Sequence, residues 1–273
     1  MSEMSRHRLL RCLFVLLCCL AACAKQTELV ATPEAGKRFL KLRGYEFDQK
    51  GFFAAVAAED LATINAFIVA GVDINTRDPR DGRTALISAS ARGDKSVVKA
   101  LLEAGADVNA KDSSGYTALF HSIDARYDDV TDLLVAQQGL DLNARGKNDV
   151  TVLISFVWRD RADEVKALLD RGADVNLQDG DGDTALHGAA QTGNAEIATM
   201  LLLKGASPDV KNKVGGTPLM WAAVYGHDQV AQVLLKQNAD STLKDVEGMT
   251  ALDWAEKNKR DKVAYVLKRL AGR

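Results

Sequence analysis

Few residues in this chain of 273 are of the types that do chemistry, and their spacing argues against most of it. The four cysteines, Cys12, Cys18, Cys19 and Cys23, all lie in the first 23 residues. The rest of the chain therefore has no thiol for a disulfide framework, a zinc cluster or a nucleophile. Four histidines, His7, His121, His187 and His227, are scattered along it. No H-E-x-x-H, G-x-S-x-G or phosphate-loop pattern surrounds any of them. The run Asp179-Gly180-Asp181-Gly182-Asp183 sets carboxylates at alternate positions, as calcium loops do. Thr184 stands where such a loop needs glycine, however, and no suitably spaced bidentate Glu comes after it. The run reads instead as a solvated turn tip. These residues point away from an enzyme, with no metal and no cofactor. A net charge of −2 offers no basic excess for nucleic acid.

One cysteine has a context of its own. Arg6, Arg8 and Arg11 precede a short apolar run over residues 12–22, too short to span a bilayer and flanked like a secretory signal peptide. The segment Leu20-Ala21-Ala22-Cys23 resembles the lipobox of bacterial lipoproteins. That resemblance implies a signal peptide at 1–22, cleavage before Cys23, a diacylglyceryl group on its sulfur and acylation (palmitate and similar chains) of the new amino terminus. More than one chain gives stable membrane anchoring. By resemblance to enterobacterial sorting, Ala24 and Lys25 imply the outer membrane and a periplasmic location. Residues 23–44 are then the lipidated cysteine and its tether. Within them, residues 33–42 are expected to form a short helix opened by Pro33, with Phe39, Leu40 and Leu42 covering the first repeat.

The remainder, residues 45–273, is organised by repetition. Aligning on Thr84, Thr117, Thr151, Thr184, Thr217 and Thr250 gives spacings of 33, 34, 33, 33 and 33. Lys50 holds the same place in an earlier, motif-poor copy, so seven units start near 50, 84, 117, 151, 184, 217 and 250. The copy at 181–212 is the most regular, with Thr184-Ala185-Leu186-His187, an alanine-rich segment, Gly193 and a leucine-rich segment ending at Gly205. A period of 33 with a T-x-L-H-x-A core resembles the ankyrin repeat. The resemblance implies an all-α solenoid of about seven helix-turn-helix repeats.

Each recurring residue has a physical role in such a unit. The Thr hydroxyl caps the first helix. Small alanines let first helices lie close, and bulky pairs such as Leu134-Val135 and Leu201-Leu202 fill the core from the second helix. Gly71, Gly105, Gly172 and Gly205 end that helix in the left-handed conformation, with Asn238 as the substitute. His187 and His227 sit at template places and read as structural, whereas His121 is off-template. In the last repeat Lys268 replaces the second leucine, giving the polar outer face of an end cap.

In ankyrin proteins generally, partners meet the turn tips and the concave face lined by the first helices. Positions four, seven and eight after each Thr point there, and they yield Arg92, His121, Trp158, Arg159, Trp221, Tyr225 and Trp254 as partner-binding candidates. All three tryptophans of the chain fall in this set, and Trp, Tyr and Arg dominate interface hot spots. The competing arrangement packs these rings between neighbouring first helices. Repeats three and four depart most from the template. Ser122 and Phe156 replace alanine, Arg126 and Asp160 replace glycine, and a residue is added near Gln137-Gln138-Gly139. The bulk of Phe156 must shift its neighbours. The expected function is that of a monomeric, lipid-anchored module that binds a partner protein. By analogy it is an immunity protein against a secreted toxin or an accessory factor for a periplasmic enzyme. The alternative is a structural tether for envelope components.

Overall fold

The computed structural model describes residues 32–270, so the leader, Cys23 and the start of the tether lie outside the described residues. Fifteen α-helices and one 3-10 turn, with no strand, make up the described residues. None of these helices is long and apolar enough to cross a membrane. Two compact units divide between Ala110 and Lys111.

The first unit begins with α1 (Pro33–Leu42), which has Pro33 at its first turn and is capped by the Thr32 hydroxyl accepting from the Ala35 amide at 3.2 Å. Next come two helix pairs, α2 (Gln49–Ala57) with α3 (Leu61–Val69), and α4 (Ala85–Arg92) with α5 (Lys95–Glu103). Helix α1 packs on α3. Leu40 makes that contact fully buried, but Leu42 is 82 % exposed and covers nothing, which corrects the expectation for it. Leu42 lies two residues, about 200° of helical turn, from Leu40 and so faces away. Phe67 gathers Tyr45, Phe47 and Phe52 around it, with ring centroids 5.6–6.3 Å apart.

The second unit holds five pairs: α6 (Ala118–Ala125) with α7 (Asp128–Val135), α8 (Val152–Trp158) with α9 (Ala162–Asp170), α10 (Ala185–Thr192) with α11 (Ala195–Leu203), α12 (Pro218–Tyr225) with α13 (Asp228–Lys236), and α14 (Ala251–Lys257) with α15 (Asp261–Leu270). The repeating threonines do what the spacing predicts. Thr84, Thr117, Thr151, Thr217 and Thr250 each accept from the amide three residues on, at 3.2–3.4 Å. Leu101, Leu134, Leu168, Leu201 and Leu234, the first members of the bulky pairs, are wholly buried, and the same place in the last repeat is filled by Leu267. Beside it Lys268 is exposed and pairs with Glu256 at 2.6 Å, the polar outer face expected of an end repeat.

Gly193 shows why the first helix ends on glycine in three of the seven repeats. Its φ is +81°, and a Cβ there would lie 2.4 Å from the His227 ring of the next repeat. In repeats three and four Arg126 and Asp160 take the same left-handed turn at φ +61° and +58°. This conformation costs a side-chain-bearing residue about 1–2 kcal/mol. Phe156, at an alanine position, is 1 % exposed. Its own helix α8 and the preceding inner helix α6 pack more loosely than any other adjacent inner pair of this unit.

Candidate partner-binding groove

Opposite each inner helix stands a turn, and its geometry is set by one side chain. In the second unit Asp112, Asp179, Asn212 and Asp245, close to one repeat length apart except where repeat four intervenes, each accept two backbone amides of their own turn through Oδ1, at 2.8–3.1 Å. Asp179 is therefore committed to shaping a turn. Among the described residues no group of three or more His, Cys, Asp or Glu is placed to hold a metal ion. Adjacent turns are stitched by backbone bonds, the amides of Gly180, Lys213 and Val246 donating to the carbonyls of Asn148, Asp181 and Val214 at 2.6, 3.0 and 3.2 Å. Repeat four has Gly146 where the others have Asp or Asn, and a Cβ there would press to 3.0 Å on the Phe120 ring. Its turn is the 3-10 segment Lys147–Asp149, with Asn148 and Asp149 both at positive φ.

His187 ties an inner helix to this row of turns. Its Nδ1 accepts from the Thr184 amide at 3.1 Å, which leaves Nε2–H to donate to the Gly216 carbonyl of the next repeat at 3.1 Å. Burial pushes the imidazole below its usual range, against the opposing pull of Asp183, so it stays neutral. Asp183 in turn is pushed up by burial, although Asn212 donates to it at 2.8 Å. Both shifts oppose an ion pair between them.

A groove of about 300 Å³ runs between the last two turns and helices α12 and α14, lined by Val214, Gly216, Met220, Trp221, Val224, Asp245, Val246, Glu247 and Trp254. Trp254 is held by its Nε1–H donating to Asp245 Oδ2 at 2.6 Å. The Asp245 carboxyl stays below the usual carboxylate range; burial works against this, and the hydrogen bonds from Trp254 and the two amides outweigh it. Trp221 stacks on Tyr225 (5.6 Å, 14°), and Tyr225 stacks on His227 (6.4 Å, 13°). The Tyr225 hydroxyl accepts from Gln191 Nε2 at 3.3 Å. Trp221 Nε1 is buried without a hydrogen-bond partner. At the mouth Val214 and Val246 are 57 % and 74 % exposed.

Of the residues singled out by the repeat register, the structure brings Trp221 and Trp254 into this groove and stacks Tyr225 on Trp221. Trp158 and Arg159 line a separate recess between repeats three and four, together with Ile123, Arg126, Asp128, Thr131, Phe156 and Arg161. The Trp158 indole lies across Gly188, where a Cβ would approach it to 3.1 Å, and the residue is 42 % exposed. Arg159 meets Asp124 at 3.1 Å. His121 is directed at Asp112, Nε2 to Oδ2 2.7 Å, and braces its own turn. Arg92 belongs to the first unit, where it donates to the Val56 carbonyl at 2.6 Å and approaches Glu59. None of the three tryptophans is core, since Trp221 and Trp254 are half-buried with faces in the groove. The repeat register did not single out Val214, Val246, Asp245 or Glu247. Their signal was present: valines at turn tips that are polar in most other copies.

Stacked helix pairs, capped by threonine and faced by a row of turns, define a helical repeat module. The chain belongs to the ankyrin repeat family: the family model for ankyrin repeats matches it in three copies, at residues 52–146, 138–212 and 201–272. Ankyrin repeats generally mediate protein–protein interaction. Among solved structures, the chain is similar to an ankyrin repeat domain from Acinetobacter baumannii AYE, 27% identical with a TM-score of 0.63, covering 68% of this chain and 97% of that one. It is also similar to the ankyrin repeat domain of Bcl-3, a member of the IkappaB protein family, 28% identical with a TM-score of 0.66, covering 80% of this chain and 97% of that one. No curated protein matches the chain in sequence.

Proposed function

We propose that this chain is a lipid-anchored module that holds a partner protein in the groove between the last two turns and helices α12 and α14. The observation that carries the reading is the composition of that groove. Two half-buried tryptophan faces and two exposed valines sit at a rim of fixed geometry, where a solvated turn gains nothing from apolar side chains. The anchor rests on sequence alone, on the basic leader, the apolar run and Leu20-Ala21-Ala22-Cys23. It puts the module in the periplasm on the outer membrane. In that setting the groove suits an immunity protein that blocks a secreted toxin, or an accessory factor for a periplasmic enzyme.

The test is capture from envelope extracts with the full chain, beside Trp221→Ala and Val246→Asp. One major partner retained by the wild type and lost by both variants is the expected result. Equal capture by all three moves binding elsewhere, and many weakly held partners favour the tethering role. For the anchor, metabolic labelling with palmitate should mark the wild type and leave Cys23→Ala unlabelled; label on both would remove the lipid from Cys23.

A further inference from the structure

The groove contains a built-in clue to what enters it. Its lining carries two carboxylates, Asp245 and Glu247, and no cation, amid surfaces that are otherwise mainly apolar. A cation is nonetheless drawn to it from outside the lining. Lys257, in the last turn of α14, places Nζ 4.1 Å above the centre of the Trp254 ring and 3.5 Å from Glu247 Oε2. An ammonium over an indole face is attracted by the negative π surface, and a carboxylate beside it adds to that attraction. Trp254 cannot turn away to avoid the charge, because Asp245 holds its Nε1 at 2.6 Å. The ring is held in place, and the acid and the cation meet at its face. Other lysines of the turns point elsewhere: Lys211 donates to the Lys244 carbonyl at 2.7 Å, and neither it, Lys213 nor Lys244 lines the groove.

Resting on the groove reading above, we infer that the partner segment seated between Trp221 and Trp254 presents a basic side chain, arginine or lysine, next to an apolar one, and that this cation displaces Lys257 from Trp254 and Glu247. The volume of about 300 Å³ admits a few side chains at most. The apolar neighbour fits against Val214, Val246 and Met220, and the cation takes the indole face and the Glu247 carboxylate. Lys257 is half-exposed, with its side chain free to leave for water. While in place it is a tethered competitor that an incoming cation must displace.

The experiment uses the full chain and three synthetic peptides of equal length in which leucine alternates with arginine, glutamine or glutamate. Binding is followed through tryptophan fluorescence. The arginine peptide is expected to bind about tenfold more tightly than the glutamine one, an advantage that shrinks as salt rises. Lys257→Met should tighten the arginine peptide several-fold and leave the glutamine peptide alone, and Glu247→Gln should weaken the arginine peptide. Equal binding of the arginine and glutamine peptides overturns the basic partner while leaving an apolar groove standing. A preference for the glutamate peptide overturns it as well. An arginine preference insensitive to Lys257→Met overturns the displacement. If no peptide binds, the inference falls, and the Trp221→Ala capture above judges the groove by itself.

Discussion

Replacing His187 by alanine is expected to cost about 2–4 kcal/mol, because it strands one buried amide, removes a cross-repeat hydrogen bond and leaves a void between repeats. The Thr184 amide loses the acceptor at 3.1 Å, and the Gly216 carbonyl loses the imidazole donor at 3.1 Å and keeps only the Asn212 amide at 3.0 Å. Neither has water to turn to, since His187 is 1 % exposed and Thr184 is buried with it. Urea denaturation of the two proteins measures the difference, and a loss below about 1 kcal/mol would show that the cross-repeat bonds are replaceable. The same residue sets a pH dependence. Its folded-state pKa is depressed by burial, so between that value and the ordinary imidazole value the unfolded chain binds more protons than the folded one. Stability from this source is complete above about pH 6.5 and declines as the pH falls below it. His187→Gln removes the titrating group, so its unfolding free energy should lose less than the wild type's between pH 7.5 and 5. Asp183 acts in the opposite sense: burial raises its pKa, so its contribution is present at low pH and is lost as the pH climbs out of the carboxylate range. Retention of the wild-type decline in His187→Gln would assign the effect to a different group.

What the sequence made legible is what the repeat dictates locally. A threonine before a helix, a glycine after it and a leucine on the inward side act within one turn of backbone, so thirty-three-residue spacing alone located caps, ends and core. Leu42 escaped because it lies beyond the template, where only a ten-residue helix with one buried stripe decided its direction. The groove was half legible. Counting from the threonines found Trp221, Tyr225 and Trp254, since inner-helix positions repeat with the helix. The turns opposite them are positioned by Asn212 and Asp245 through bonds within each turn, and which turn residues then face a ring depends on how successive turns stack. Val246 and Glu247 join Trp254 in the groove lining by that route, which no periodicity in one strip of sequence reveals. Arg92 and His121 share the register of the tryptophans and have other work, one on the Val56 carbonyl and the other on Asp112.

Phe156→Ala should cost about 3–5 kcal/mol, although alanine is what the regular repeats carry at that place. The size of the loss depends on whether the gap between α6 and α8 closes once the ring is gone. If Phe156 alone held the helices apart, truncation would let them approach to the usual spacing and the cost would shrink. Other parts of these repeats are built around the wider spacing. Ser122 and Thr131 hydrogen-bond to each other at 2.9 Å and hold α6 on α7, while Arg161 bridges Asp128 and Asp132 of α7 to Glu164 of α9. The turn of repeat four has also lost its Asp or Asn to Gly146, over which the Phe120 ring now lies. These contacts keep the two repeats in their present register, so removing the ring leaves a cavity in place of a regular ankyrin interface. Phe156→Leu, which retains most of the volume, should cost roughly 1–2 kcal/mol. The comparison by urea denaturation decides the matter: a Phe156→Ala protein within about 1 kcal/mol of wild type would mean that the spread is the ring's doing alone. The recess holding Trp158 and Arg159 opens in the same gap, so retained spacing in Phe156→Ala should leave Trp158 fluorescence at its wild-type wavelength, whereas closure should bury the indole and shift its emission to the blue.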